Sequence, residues 1–487
     1  MPLGFSIGGQ THYSFRKCEK IHEIRSKNVK NFTFLERKID NIFFLCYIKP
    51  IMKRDIYKKL LDWKQSERRK PLVLRGARQV GKTYILKDFG KNEYENSVYL
   101  NFEDDPTLDA IFAPRFDLQR IIRSLSAYGE VKISPGSTLL IFDEIQASPN
   151  ALQALKSFRE NANEYHVAAA GSLLGIKLKG QKSFPVGQVN FLDLYPLSFP
   201  EFLDSLQKSV LRNLIEENQQ DFHPFPEPFH VELLELLKNY YLIGGMPEAI
   251  STYVQTASFQ VTRQVQQEII DSYLLDFSKH AEKSDVMKIS EIWRSIPTHL
   301  SKENKKFIFS AVRKSARARD YERALQWLLD AGIIYKSYHI SKPGLPLHAY
   351  SNSTIFKVFL LDVGLLGTMV NLSPGLILEG SAIFSHFHGA LVENYVAQQL
   401  KAKSREDLYY WTSAGKAEVD FVFTINDGVC PLEAKAGLNL KSKSLKVYNE
   451  KYKPVFLFRT SLQNLQKTGN ICNYPLYAIS LFPIYPT

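Results

Sequence analysis

The sequence predicts an α/β chain: a parallel sheet covered by helices, then helical modules, then a second α/β unit. Three observations carry this reading. Short fully apolar runs alternate with helical stretches from Pro71 to about Phe202. Residues 203 to about 350 read as mostly helical, and the last hundred residues return to strand-rich sequence. Apolar strands alternating with helices indicate a parallel sheet buried on both faces. With roughly 150 residues per domain as the prior, a chain of 487 residues is expected to hold three domains.

Composition excludes several classes. Apolar residues make up 45% and charged residues 23%, so real cores can form and broad disorder is excluded. Cys18, Cys46, Cys430 and Cys472 are widely scattered, which excludes a secreted cystine scaffold. No run reaches about 18 apolar residues, so no membrane span and a cytoplasmic location are expected. The run Ile42 to Ile48 is short and too far from the start for a signal peptide. Lys plus Arg number 62 against 50 Asp plus Glu, a balance of +12 that permits a nucleic-acid partner without establishing one.

The elements follow in order. Residues 1–51 are basic and carry no clear element; an upstream extension with Met52 as the natural start and a real N-terminal arm both fit. Met52 opens an amphipathic helix with Ile56, Leu60, Leu61 and Trp63 able to share one face. A strand from Pro71 then leads into Gly76-Ala77-Arg78-Gln79-Val80-Gly81-Lys82-Thr83, the GxxxxGK[ST] phosphate loop. Its backbone, at Gly76, Gln79 and Gly81, can curl so that N–H groups converge on phosphate oxygens, and the following helix terminus adds a favourable dipole. Lys82 would meet the outer phosphates and Thr83 would ligate magnesium. The site is thus expected to take ATP and Mg2+.

Further strands are expected at Ser97 to Phe102, Thr138 to Phe142 and His166 to Ala170. The second of these ends in Asp143-Glu144. Strand carboxyl ends line the ligand crevice of a parallel sheet, so Asp143 can hold the magnesium shell and Glu144 can polarise the attacking water. Ordinary helix N-terminal acids are the plainer alternative. The third ends in Gly171-Ser172, whose hydroxyl could reach the γ-phosphate or simply cap a helix. No guanine-reading NKxD follows the loop.

Together GARQVGKT, LLIFDEIQ, AAAGSLLG, FPVGQVNFLDLYPLSFPEFL and YYLIGGMPEAI resemble a prokaryotic family of AAA-type ATPases with a restriction-endonuclease-like C-terminal region. The resemblance runs from Met52 to the end. It implies an ATPase core over 52–202, a helical region over 203–285, a winged-helix module over 286–350 and a restriction-endonuclease-like domain over 351–487. It also implies nucleotide on Lys82 and Thr83, magnesium on Asp143, water activation by Glu144 and a sensor role for Ser172. One departure matters. Relatives carry GRV where this chain has Gly187-Gln188-Val189, and that arginine is a candidate finger acting in trans. An arginine finger contributes several orders of magnitude to hydrolysis, so slow turnover is expected, with Arg75 or Arg78 as partial substitutes.

The segment AEVDFVFTINDGVCPLEAKAG is the second constellation. Alternation along a strand points Glu433 and Lys435 to one face with Ala434 opposite, and a turn at Asn426-Asp427-Gly428 can bring Asp420 alongside. Asp420 and Glu433 could share a divalent metal, Lys435 could position water, and Glu393 on the preceding helix could join them. The pattern resembles a PD-(D/E)xK nuclease core. An exposed sheet face with cross-strand pairs would look the same. Lys305, Lys306, Arg313, Lys314, Arg317 and Arg319 crowd the winged-helix segment; Lys435, Lys441, Lys443, Lys446, Lys451 and Lys453 follow the acids, with Tyr448 and Tyr452 between them. Trp327, Trp411, Phe421 and Phe423 read as core.

Two functions stand. One is an ATP-driven machine on DNA or RNA with a metal-dependent nuclease; the other is a slow nucleotide-controlled switch that binds a protein or nucleic acid without cutting. A metabolic kinase is weaker, since no small-acceptor site is visible. An oligomer fits either.

Overall fold

The computed structural model describes residues 52–113, 117–172, 187–218, 222–302, 305–378, 385–404, 406–415, 417–437 and 442–482. The expected N-terminal extension and Lys441 lie outside them, and so does the side chain of Ser172.

The first sheet contains β1 (Leu72–Gly76), β2 (Asn96–Asn101), β3 (Thr138–Asp143), β4 (His166–Ser172) and β5 (Asn190–Asp193). Their order is β2-β3-β4-β1-β5, and every pair is parallel. Alternation decides the packing. Leu72, Leu74, Leu139 and Ile141 enter one core, while Val73, Leu140, Phe142 and Ala169 enter the other. The first face takes α1 (Ile56–Gln65) and α2 (Lys82–Glu93); the second takes α3 (Leu118–Gly129) and α4 (Pro149–Asn161). In α1 the buried residues are Ile56, Leu60 and Trp63, and Leu61 sits at the margin.

A helical region follows: α5 (Phe199–Ser205), α6 (Ser209–Glu217), α7 (Glu227–Ile243), α8 (Pro247–Thr256) and α9 (Phe259–His280). Next come α10 (Lys283–Leu300), α11 (Phe309–Val312), α12 (Ala318–Asp330) and the hairpin β6 (Ile334–Ile340) with β7 (Ser351–Leu360). The boundary expected at residue 350 therefore falls between two strands of one hairpin. Nor does the hairpin stand apart. β6 pairs in parallel with β8 (Leu408–Thr412), extending a mixed sheet that continues through β9 (Glu418–Ile425), β10 (Gly428–Ala434), β11 (Leu457–Ser461), β13 (Ile471–Pro475) and β12 (Gln466–Thr468). Against it lie α13 (Val363–Met369), α15 (Ser385–Lys403) and α16 (Lys443–Tyr452), while α14 (Pro374–Leu378) packs on α7. Asn426 and Asp427 both take positive φ, at 44° and 61°, which is the tight hairpin turn expected between β9 and β10.

The glycines between α7 and α8 have a steric reason. A Cβ on Gly245 would lie 2.2 Å from the Leu197 carbonyl oxygen, and one on Gly244 would lie 2.1 Å from Asp362 Oδ1. Asp362 accepts from Gly245 N at 2.6 Å, from Leu365 N at 3.0 Å and from Gln398 Nε2 at 3.0 Å. Burial pushes its carboxyl up to about 6, against the pull of those amide donors. Gly245→Ala should cost about 3 kcal/mol in urea unfolding, because a main-chain carbonyl cannot move aside. Gly389→Ala in α15, where a Cβ meets nothing within 4 Å, should instead stabilise by up to about 1 kcal/mol.

Candidate active site

The loop between β1 and α2 closes on itself through residues only this backbone tolerates. Gln79 and Gly81 take φ of 64° and 94°, and a Cβ on Gly76 would lie 2.3 Å from the Leu194 carbonyl oxygen. Helices α3, α4 and α5 each begin with a side chain bonded to a first-turn N–H: Asp117, Ser148 and Ser198. Helix α2, like α1 and α6, begins without a side-chain cap, and its position at the end of the glycine loop suits its first N–H groups to a phosphate. Lys82 is buried and donates to the carbonyls of Gly76, at 3.1 Å, and Ala77, at 2.8 Å. Burial draws its ammonium below the usual lysine range, with Glu144 and Asp143 opposing.

The register of β3 sets Asp143 beside the start of α2. Thr83 Oγ1 donates to Asp143 Oδ2 at 2.6 Å, and Tyr99 Oη donates to the same oxygen at 2.9 Å. Two oxygen ligands side by side fit Mg2+, which keeps much of its shell for water and phosphate. Glu144 follows in a left-handed conformation, φ 49° and ψ 43°, and its carboxylate is bonded by Gln146. Strained non-glycine backbone of this kind needs over-determined surroundings and gathers at functional sites. Lys82, Thr83, Asp143 and Glu144 are thus brought to one strand-end crevice. Ser172 closes β4, whose Gly171-Ser172 pair with Arg75-Gly76.

Several residues here carried no sequence signal. Arg54, buried, donates to Val80 O at 3.0 Å, Tyr195 O at 2.6 Å and Glu201 Oε1 at 3.1 Å, and so holds the back of the loop. Tyr99 is another, placed by strand register alone. Helix α9 supplies the rest. Tyr273 Oη donates to Arg78 O at 2.9 Å, and Gln79 Nε2 donates to Ser272 Oγ at 3.2 Å. Arg78 pairs with Asp276 at 3.0 Å and Glu103 at 3.5 Å. At its other end α9 places Arg263 on Thr368 Oγ1 at 2.6 Å and Gln266 on the carbonyls of Leu242 and Ile243. Tyr273 and Asp276 thus hold the phosphate loop from α9.

The expected substitutes for an arginine finger are otherwise engaged. Arg75 makes a two-pronged pair with Asp193, at 2.8 and 3.0 Å, over the Phe191 ring. Arg78 is held by the carboxylates just described. Gln188 precedes β5, at the end of the sheet away from the loop.

The second constellation is assembled differently from the metal site expected of Glu393, Asp420 and Glu433. Lys435 Nζ lies 2.7 Å from Glu433 Oε1, on the same face as alternation requires. Asp420 Oδ2 accepts from Ala434 N at 2.9 Å. Glu393 pairs with Lys305 through Oε1. Lys357, 0% exposed, places Nζ 2.5 Å from Glu418, 3.6 Å from Glu393 and 4.0 Å from Asp420. Burial pushes Asp420 up, and Glu393 adds to the shift. The oxygens Glu393 Oε2 and Glu433 Oε2 accept no hydrogen bond among the described residues. Also among the described residues, no group of three or more His, Cys, Asp or Glu side chains is arranged to hold a metal ion. The reason is that Lys357 projects between the carboxylates and Lys305, expected on a basic surface, pairs with Glu393. The basic clusters are likewise reduced. Lys305 is turned inward, while Arg313, Lys314, Arg317 and Arg319 are exposed. Tyr448 is buried edge-on to Trp411, and Tyr452 also packs on that ring.

Comparison with known proteins matches three stretches of the chain. An AAA domain matches residues 68–203. Domains of unknown function match residues 234–375 (DUF8612) and 388–479 (DUF4143). No curated protein is significantly similar to the chain. Among solved structures, the Walker-type ATPase PABY2304 of Pyrococcus abyssi is 14% identical, covering 67% of this chain and 99% of its own with a TM-score of 0.43. Cdc6p from Pyrobaculum aerophilum is 12% identical over 69% of this chain and 97% of its own, TM-score 0.25. The RuvB Holliday junction branch migration motor of Thermotoga maritima is 15% identical over 60% and 92%, TM-score 0.26. With the strand order and the phosphate loop, the AAA match makes the first part of the chain an AAA-type P-loop ATPase core.

Arg54→Met should weaken binding of a fluorescent ATP analogue about tenfold and lower unfolding stability by roughly 3 kcal/mol, because Glu201 would keep a buried charge without its partner.

Proposed function

We propose that the chain is a slow, Mg2+-dependent ATPase whose nucleotide state controls contact with nucleic acid. The observation that carries the reading is the Thr83–Asp143 pair at 2.6 Å beside a buried Lys82. Lys82 and the loop N–H groups bind the phosphates, Thr83 and Asp143 hold the magnesium shell, and Glu144 orients water for attack. Bound magnesium neutralises charge developing on the phosphates. A cavity of about 620 Å³ along α2, with the half-exposed Tyr84 at its edge and Met52 and Tyr57 in its wall, offers room for a base.

Slow turnover follows from Gln188 and from the commitment of Arg75 and Arg78 to carboxylates, and a slow ATPase suits a switch better than a motor. Helix α9 is the connection. Its last two turns touch the phosphate loop, and its first two touch α13, so a change at Arg78 is transmitted along one rigid element. We read α10 to β7 as a winged helix, with Arg313, Lys314, Arg317 and Arg319 as its phosphate-contacting surface. The C-terminal sheet is read as a restriction-endonuclease-like fold retained for binding. No helix among the described residues is long and apolar enough to cross a membrane, which is compatible with action in the cytoplasm.

Lys82→Ala should abolish ATP binding and turnover, whereas Glu144→Gln should keep binding and lower kcat about 10²–10⁴-fold in a phosphate-release assay. Wild-type chain showing no ATP turnover with magnesium would overturn the reading. Arg313→Ala and Arg317→Ala should each weaken duplex DNA binding and reduce the slope of log K against log salt by about 0.9, measured by anisotropy.

A further inference from the structure

We infer that the acidic cluster of the C-terminal sheet is an ammonium-filled site that takes no divalent cation, with Lys357 Nζ standing where a metal would have to sit between Glu393 and Asp420. The conclusion is independent of the ATPase reading.

Charge is the first ground. Four carboxylates converge: Glu393, Glu418, Asp420 and Glu433. Three ammonium groups meet them, Lys305 on Glu393, Lys357 between Glu393, Glu418 and Asp420, and Lys435 on Glu433, and the guanidinium of Arg459, in register with Glu433 on β11, adds a fourth charge nearby. Four positive charges therefore stand against at most four negative ones, and the cluster has no net negative charge. Glu393, Asp420, Glu433, Lys357 and Arg459 are all less than 10% exposed. Adding a doubly charged ion to such a buried cluster carries a desolvation cost with no net negative charge to offset it. A divalent site needs carboxylates in excess.

Position is the second ground. Lys357 projects from β7 along the sheet face, over the Tyr410 ring at 4.9 Å, toward Glu418 and Asp420 on β9. Its backbone is held on both sides, paired with Ser337 of β6 and bridged to Lys306. Phe307 N donates to Phe356 O at 2.8 Å, and this bridge is what brings Lys305 against Glu393. Both ammonium groups come from the segment before α15, outside the acidic motif, so the site is closed by the neighbouring module rather than by its own hairpin.

The test titrates Mn2+ into the full chain without nucleotide, carrying Thr83→Ala to silence the phosphate loop, and counts bound ions from the loss of free aquo-Mn2+ EPR signal. Thermal unfolding is followed in parallel. The chain with its native cluster and the same chain with Asp420→Asn should bind equal numbers of Mn2+ and show equal shifts in Tm. Lys357→Met should gain one Mn2+ site and a Tm rise with Mn2+, and a further Asp420→Asn should abolish both. Two results would overturn the inference: Asp420→Asn removing one bound ion from the chain with its native cluster, or a folded Lys357→Met chain that gains no site. If Lys357→Met does not fold, the comparison at Asp420 decides alone.

Discussion

Asp362 is fully buried, and its carboxylate is held by amide donors from three separate parts of the chain: the Gly244-Gly245 turn, the first turn of α13 and Gln398 of α15. Leu197, at the tail of the ATPase core, donates its N–H to Gly245 O, so the core joins the same junction. A buried carboxylate tolerates little change, because each donor removed leaves a charge less compensated. The two glycines are the steric counterpart, since the backbone must approach within contact distance of both Asp362 and Leu197. Core, helical region and C-terminal sheet thereby meet at one point, and the core cluster running from Ile56 to Phe482 closes around it.

From that junction α9 reaches to the phosphate loop. Gln266 accepts from Thr368 and donates to the last carbonyls of α7, close to Asp362, while Tyr273 and Asp276 hold Arg78. A 22-residue helix tied at both ends behaves as a strut. The ATPase core and the C-terminal half therefore cannot change their relation without disturbing either Arg78 or the junction.

The two acidic sites show what decides whether carboxylates are available to a cation. Asp143 is met by a hydroxyl, a phenol and a main-chain N–H, all neutral donors that can yield to magnesium. The carboxylates around Asp420 are met by the ammonium groups of Lys305, Lys357 and Lys435, which oppose their charge. Both sites draw on apolar strands and both look acidic when read as sequence; their partners make them opposites.

Much of the first site was legible because its chemistry is local. A phosphate loop needs its glycines, lysine and threonine at fixed spacing, and the apolar run before Asp143 marks a strand end, so Lys82, Thr83, Asp143 and Glu144 could be placed before any fold was known. Same-face alternation of Glu433 and Lys435 and the tight turn at Asn426-Asp427 were local too. Arg54, Tyr99 and Asp276 were not. Each reaches the loop from an element whose position depends on packing, and nothing in its neighbours along the chain distinguishes it from a surface arginine, a strand tyrosine or a helix aspartate. Lys357 is the sharpest case. A lysine in a strand reads as solvent-facing, and only the parallel pairing of β6 with β8, a contact between residues some seventy positions apart, turns it inward onto the carboxylates. Sequence by itself determined the class of the core and its nucleotide chemistry; the tertiary structure alone decided which charges face which, because charge compensation is set by distance in space.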